Sequence, residues 1–280
     1  MRENDLLSLF STYGNIPKTI HIAWNNKEIV DSTYSIIRNG IHNLKNLNRD
    51  YDFTISNDRE IDEYLNSRLE RRDFDLIKKR HIVEKVDLWR LLKIYYEGGF
   101  YMDIDRLYNI PLENVISKDV KCLLPMYGDK NFSQDIMISC PENIIHKTAI
   151  SLNLERRRSG SKSILYLGPQ TYFHACTRIL LGEEKNEYPT KEDLIRLRKT
   201  IRTCKYIRTY REVLPYDSIV FQSEGTDIDF DKNQLYSDEN ILRWADRNKP
   251  FKKLKHYWKR KLAARRGAAH QDGRGLRRGR

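Results

Sequence analysis

The run Glu97-Gly98-Gly99-Phe100 constrains the fold of this chain more than any other feature. Upstream of it, Ile82, Val86, Trp89 and Ile94 recur near helical spacing and predict one long helix over about residues 73–97. Two consecutive glycines stop that helix, because glycine tolerates the left-handed conformation that closes one. Phe100-Tyr101-Met102-Asp103-Ile104-Asp105 then reads as a strand. The same alternation runs along the chain. Residues 19–24 read as a strand, and Asp31 or Ser32 can cap a helix reaching about Leu47. Residues 51–56 alternate as a second strand, and Asn57 caps a helix through about Leu69. Shorter strands near 121–124 and 135–139, and helices near 143–156, 169–181 and 191–202, complete the pattern. Strand followed by helix, repeated, predicts an α/β fold with a mixed, mainly parallel sheet.

Charge narrows the partners. The 280 residues hold 51 Lys plus Arg and 39 Asp plus Glu, a formal net charge of +12. Residues 249–280 carry 13 of the basic residues and a single acid, Asp272, so the first 248 residues balance at 38 of each sign. The body is neutral, and a nucleic-acid partner is expected only through the tail. After Trp258 the sequence uses Arg, Gly and Ala almost exclusively and cannot bury apolar area. Residues 1–258 are therefore expected to form one domain, and 259–280 a basic, disordered tail. No signal peptide or membrane span is expected. The opening residues lack a long apolar stretch, and the uncharged run 163–177 is broken by Gly168, Pro169 and His174. Cys122, Cys140, Cys176 and Cys204 form no CxxC pair and read as reduced, mostly buried thiols.

The D-x-D pattern is cheap in this sequence, and context separates its occurrences. Asp50/Asp52 straddle a strand start, Asp73/Asp75 lie in a helix's first turn, and Asp227, Asp229 and Asp231 read as a solvated acidic strand face or, alternatively, a second metal site. Asp103/Asp105 differ. Residues two apart on a strand share a face. Phe100, Met102 and Ile104 are thus predicted to enter the core, with Tyr101, Asp103 and Asp105 on the other side. Two carboxylates at a strand end, where α/β sheets bind ligands, call for a hard cation, Mn²⁺ or Mg²⁺, that completes its shell with substrate phosphates. Asp87 and Arg90, three apart, share a helix face that the Gly-Gly turn folds toward Asp103. They read either as groups for a phosphate or sugar hydroxyl or as a surface salt bridge.

The stretch from Val86 to Asp105, followed by Ile110-Pro111-Leu112, resembles the signature of the DXD-type sugar transferases. That family includes yeast initiating mannosyltransferases and bacterial capsule enzymes, with the clostridial glucosylating toxins as distant relatives. Ile16-Pro17-Lys18-Thr19-Ile20-His21-Ile22-Ala23-Trp24 is similar to the family's opening strand, and Leu167-Gly168-Pro169 to its later turn. The resemblance implies a GT-A type, Rossmann-like nucleotide-sugar domain. By it, Asp103 and Asp105 bind the metal and the donor diphosphate. Asp87 holds ribose or sugar hydroxyls, and Arg90 the donor sugar or phosphate. Trp24 stacks on the base or, in its plainer role, ends a strand inside the core. Residues 132–139 resemble the strand whose amide or acid lies under the transferring sugar, which implicates Gln134 and Asp135. Asp135 alternatively makes a strand-start hydrogen bond. His256 matches a third metal or pyrophosphate ligand, but the family's following S-W is missing, and a solvated His on a basic helix is the more ordinary reading.

These readings converge on a metal-dependent hexosyl- or pentosyltransferase, retaining in stereochemistry. It would move sugar from a nucleotide-diphosphate donor, UDP- before GDP-sugar, to a hydroxyl of a glycan or protein acceptor, in the cytosol of a bacterium or virus. Two other classes compete. A phosphohydrolase using Asp103 and Asp105 needs a small hydroxyl residue soon after them, and Arg106-Leu107-Tyr108 does not supply it. A nucleic-acid-binding protein acting through residues 259–280 would lose binding with that tail.

Overall fold

In the computed structural model, which describes residues 3–209 apart from 33–34, 105, 108–109, 115, 125, 128–130, 133 and 185–189, helices and strands alternate along the chain. Helix α1 (Glu3–Ser11) precedes β1 (Thr19–Ala23), a 3₁₀ turn (Lys27–Asp31), α2 (Ser35–Leu47) and β2 (Asp52–Ser56). Then come α3 (Asp58–Arg68), α4 (Arg71–Ile77), α5 (Ile82–Glu97) and β3 (Gly99–Met102). A second 3₁₀ turn (Leu112–Asn114) leads to β4 (Cys122–Leu124), the short pair β5 (Met126–Tyr127) and β6 (Asn131–Phe132), and β7 (Ile136–Ser139). Helices α6 (Ile144–Arg158), α7 (Ile164–Leu167), α8 (Pro169–Leu181) and α9 (Lys191–Thr203) precede β8 (Ile207–Thr209). The predicted α/β class holds. The six-stranded sheet has the order β2-β1-β3-β7-β4-β8; β1 pairs in parallel with β2 and β3, β4 in parallel with β8, and β7 runs antiparallel between β3 and β4. All four cysteines are buried. Among the described residues no helix is long and apolar enough to cross a membrane.

Several element starts follow from local chemistry. Asn57 and Glu60 close a reciprocal capping box at α3, the side chain of each accepting from the other's backbone N–H at 3.0 Å. Pro169 sits in the first turn of α8, where its missing N–H costs nothing. Two predictions need correcting. The single helix over 73–97 is two helices. Helix α4 ends at Ile77, with the Lys78 backbone N–H donating to the Phe74 carbonyl as its last cap, and the His81 side chain caps α5 by accepting from the Val83 N–H at 3.3 Å. Asp73 holds α4 in its own orientation, because its buried carboxylate receives Arg158 of α6 in a fork of 2.8 and 2.5 Å. The second correction concerns β3, which is buried on both faces. Tyr101 packs edge-on against Trp89 of α5, with ring centroids 6.0 Å apart. Phe100 faces the opposite way, against Tyr51 at 5.4 Å, on the side where Ile20 and Phe53 line one cleft with Lys45 and Asn48. With all four residues buried, this inner strand has no solvent face.

The Gly-Gly turn aims β3. Gly98 (φ 66°) and Gly99 (φ 89°) both have positive φ, which side chains resist. Contacts fill what a side chain would need: a Cβ on Gly98 would lie 2.7 Å from Pro141 Cδ, and one on Gly99 2.5 Å from the Thr19 carbonyl oxygen. The turn is also held from β1. His21 Nε2 lies 3.0 Å from the Gly98 carbonyl, and Nδ1 lies 3.1 Å from the Thr54 hydroxyl. A carbonyl only accepts, so Nε2 carries the proton, and the one Thr54 hydroxyl proton is shared between the bare Nδ1 and the Ile20 carbonyl, each 3.1 Å away. The ring is neutral, since burial, with some help from Lys93, pushes its pKa down to about 4. Burial also brings His146, which sits against Tyr172 of α8, to about 3.

Gly99→Ala is expected to lower the unfolding free energy by more than about 2 kcal/mol, read by chemical denaturation, through strain and overpacking together. A second outcome concerns pH. The unfolded chain protonates its histidines near 6.5, whereas folded His21 and His146 do so only near 4 and 3. Between those values the unfolded state binds more protons, so this stability is complete above about pH 6.5 and declines as pH falls toward 4. Melting temperatures taken from pH 7 to pH 4.5 should drop steadily, and His146→Phe should flatten that slope whatever it does at pH 7.

Candidate active site

The C-terminal edge of β1 and β3 gathers the candidate residues. Antiparallel β7 starts at the same edge, because Met102 pairs with Ile136, and this brings residues 134 and 135 beside residue 103. The ladder continues one residue past β3, with the Asp103 N–H donating to the Asp135 carbonyl at 2.7 Å. The chain then turns, and the Arg106 N–H returns to the Asp103 carbonyl at 2.8 Å.

Arg90 of α5 organises this edge. Its Nη1 donates to the Gln134 carbonyl at 2.9 Å and to Asp103 Oδ1 at 3.3 Å, while Nη2 pairs with Asp87 Oδ1. Asp87 and Arg90 thus form an intrahelical pair, but a buried one, not the surface bridge that spacing alone allowed. The Tyr101 hydroxyl also donates to Asp103 Oδ1. Burial first, and then the Asp103 charge, raise the Tyr101 pKa well above its ordinary value, so this donor stays protonated. One oxygen of Asp103 is thereby clamped from two sides, and the side chain remains 36% exposed. Tyr101 was legible as a same-face neighbour of Asp103, though its burial was not.

Gln134 stands out by what it lacks. The residue is 1% exposed, and neither atom of its amide has a hydrogen-bond partner among the described residues. Arg90 Nε is likewise buried and unpartnered. A buried polar group in that state costs about 1–3 kcal/mol unless something outside the protein satisfies it. Asp135, the other candidate for the sugar face, turns its carboxylate to Arg106, with Oδ2 2.9 Å from Nε. No motif flagged Arg106. Trp24 ends β1 as a buried residue, and its N–H donates to the Ser56 carbonyl at 3.0 Å. Asp105 and His256 lie outside the described residues, as does everything from 210 onward. Among the described residues no group of three His, Cys, Asp or Glu side chains is placed to hold a metal. The part of the cation site that is described still suits one, because a partly exposed carboxylate oxygen donor is what a hard divalent ion takes.

Comparison with known proteins bears on this geometry. Residues 11–121 match the family model described as "Glycosyltransferase sugar-binding region containing DXD motif". The matched span includes Trp24, Asp87, Arg90, Asp103 and Asp105. Residues 11–121 are thus similar to a DXD-type glycosyltransferase sugar-binding region. No curated protein sequence matches the chain. A solved structure described as "PaToxG Glycosyltransferase" aligns with 77% of this chain and 91% of its own, at 17% identity and a TM-score of 0.46. Elsewhere in the described chain, Asp50 pairs with Lys18 at the surface and buried Asp73 with Arg158, so the first Asp of each of these two other D-x-D occurrences already has a cationic partner.

Arg90→Met is expected to cost about 3–5 kcal/mol in urea or guanidinium unfolding, because it strands the Asp87 charge in the interior. Arg90→Met combined with Asp87→Leu should recover most of that loss.

Proposed function

We propose that this protein is a glycosyltransferase that moves a hexosyl or pentosyl group, with retention of configuration, from a nucleotide-diphosphate sugar to a hydroxyl of a glycan or protein acceptor. A UDP-sugar is preferred to a GDP-sugar. The observation that carries this reading is the pairing of a clamped, partly exposed Asp103 with the unpartnered amide of Gln134 on one sheet edge. Asp103 and Asp105 would hold a Mn²⁺ or Mg²⁺ ion, with His256 as a third ligand. Bound there, such an ion would supply the positive charge that a leaving diphosphate needs, the main electrostatic demand in breaking the anomeric bond.

The chain's own residues do the rest. Sugar hydroxyls supply both donors and acceptors, which is what the Gln134 amide needs, so we place that amide under the transferring sugar. Arg90, already fixed by Asp87 and Asp103, offers its unpartnered Nε to the sugar or a phosphate, and Asp87 accepts from a ribose or sugar hydroxyl. Trp24 supports the base from the end of β1. No dedicated base is assigned, because in retaining transfer the leaving phosphate oxygen can take the acceptor's proton. Residues 1–258 serve as one GT-A domain, followed by the basic tail 259–280. Action in the cytosol of a bacterium or virus suits four buried thiols.

A panel of UDP- and GDP-sugars incubated with Mn²⁺ and read as nucleotide release tests this. Release is expected with one donor and should fall on the order of 100-fold or more in Asp103→Asn and Asp105→Ala. Equal release by wild type and both variants would falsify metal-dependent transfer through this edge.

A further inference from the structure

Asp135 grips both ends of the turn that carries Asp103. Its backbone carbonyl accepts from the Asp103 N–H at 2.7 Å, and its carboxylate receives Arg106 Nε at 2.9 Å. The turn between those two points is closed by the Arg106 N–H on the Asp103 carbonyl at 2.8 Å. Three contacts therefore define one small ring: strand end, turn, guanidinium, carboxylate, and back to the strand end. Its fixed side is the sheet, since residue 135 directly precedes β7, whose register against β3 is set from Gly99↔Ser139 to Met102↔Ile136. The two side chains are 20% and 11% exposed, so solvent screens their attraction less than it would a surface pair.

We propose that Arg106 and Asp135 are positioning residues, a latch that holds the acidic turn in a cation-receiving arrangement before the cation arrives. This rests on the metal-dependent reading above. Two carboxylates placed two residues apart repel each other in the absence of a metal, and a turn closed by one backbone hydrogen bond yields to that repulsion. The latch opposes the splaying in two ways. It ties the turn's far end to an inner strand, and it pairs Asp135, which would otherwise add a third negative charge to the edge, with a cation supplied by the turn itself. Asp135 then acts through Asp103. The sugar face falls to Gln134, whose amide has no partner within the described protein. Groups that orient metal ligands in this indirect way typically contribute about 10–100-fold in metal affinity.

The test uses the full chain and Mn²⁺ alone, titrated by the electron paramagnetic resonance signal of the unbound ion, with donor hydrolysis measured in parallel over a range of Mn²⁺ concentrations. Arg106→Gln and Asp135→Asn are each expected to weaken Mn²⁺ binding about 10-fold or more, with the double variant no worse than the weaker single. Arg106→Lys should restore part of the loss, and raising Mn²⁺ should recover part of the lost hydrolysis in every latch variant. Asp103→Asn is the control for the underlying reading. If wild type binds no Mn²⁺, or Asp103→Asn binds it as well as wild type, the metal-dependent function fails, and the latch with it. If Asp103→Asn loses Mn²⁺ while both latch variants keep it, the latch alone is wrong. A lower melting temperature in the latch variants with unchanged Mn²⁺ affinity makes the pair merely structural. An increase in donor KM confined to Arg106→Gln, again at unchanged Mn²⁺ affinity, puts Arg106 on the donor instead. Both outcomes overturn the proposal.

Discussion

A single guanidinium joins the three elements that make the candidate site. Arg90 leaves helix α5 and meets a carboxylate of its own helix, a backbone carbonyl ahead of β7, and the first aspartate beyond β3. In the interior such a group is costly to desolvate, and its attraction to one carboxylate seldom repays the cost by much. Sharing the charge between Asp87 and Asp103 while donating to Gln134 distributes it over partners that belong to different parts of the chain. The helix cannot rotate, nor β7 slide, without breaking one of these bonds. Two carboxylates around one cation also leave the edge net negative before any substrate or ion is considered, the right sign for recruiting a metal.

How much of this the sequence disclosed depended on the range of the interaction. Caps, being local, were legible: Asn57 begins α3, Gly98 ends α5, and Asn143 begins α6. The separation of α4 from α5 was not, because no glycine or proline marks a break at Lys78–His81 while the contact that holds α4, from Asp73 to Arg158, spans 85 residues. Parity along β3 correctly put Tyr101 on the side of Asp103. Alternation alone does not say whether a helix covers that side, and the packing of Tyr101 against Trp89 of α5 shows that one does.

The same distinction applies to the site. Asp87 and Arg90 could be read by helical spacing, and Asp103 by its place after a Gly-Gly turn and a strand. Gln134 could be indicated only by resemblance, and its unpartnered amide is a property of three-dimensional packing that no spacing encodes. Arg106 had entered the argument only as evidence against phosphohydrolase chemistry. Its partner, Asp135, reaches it through the register of an antiparallel strand, which is set by the rest of the sheet.

The glycine pair between α5 and β3 has a consequence for how such a site can diversify. Each missing side chain is replaced by atoms of another segment, Pro17 and Pro141 around Gly98 and the Thr19 carbonyl at Gly99. Those segments come from opposite ends of the matched region and beyond it, so a change at either glycine would require simultaneous accommodation by chain that is distant in sequence. The direction in which β3 delivers its aspartate is therefore inherited as a unit. Variation in what the site accepts must come from the residues that fringe this edge, and a mutagenesis library meant to alter it gains most by leaving positions 98 and 99 untouched.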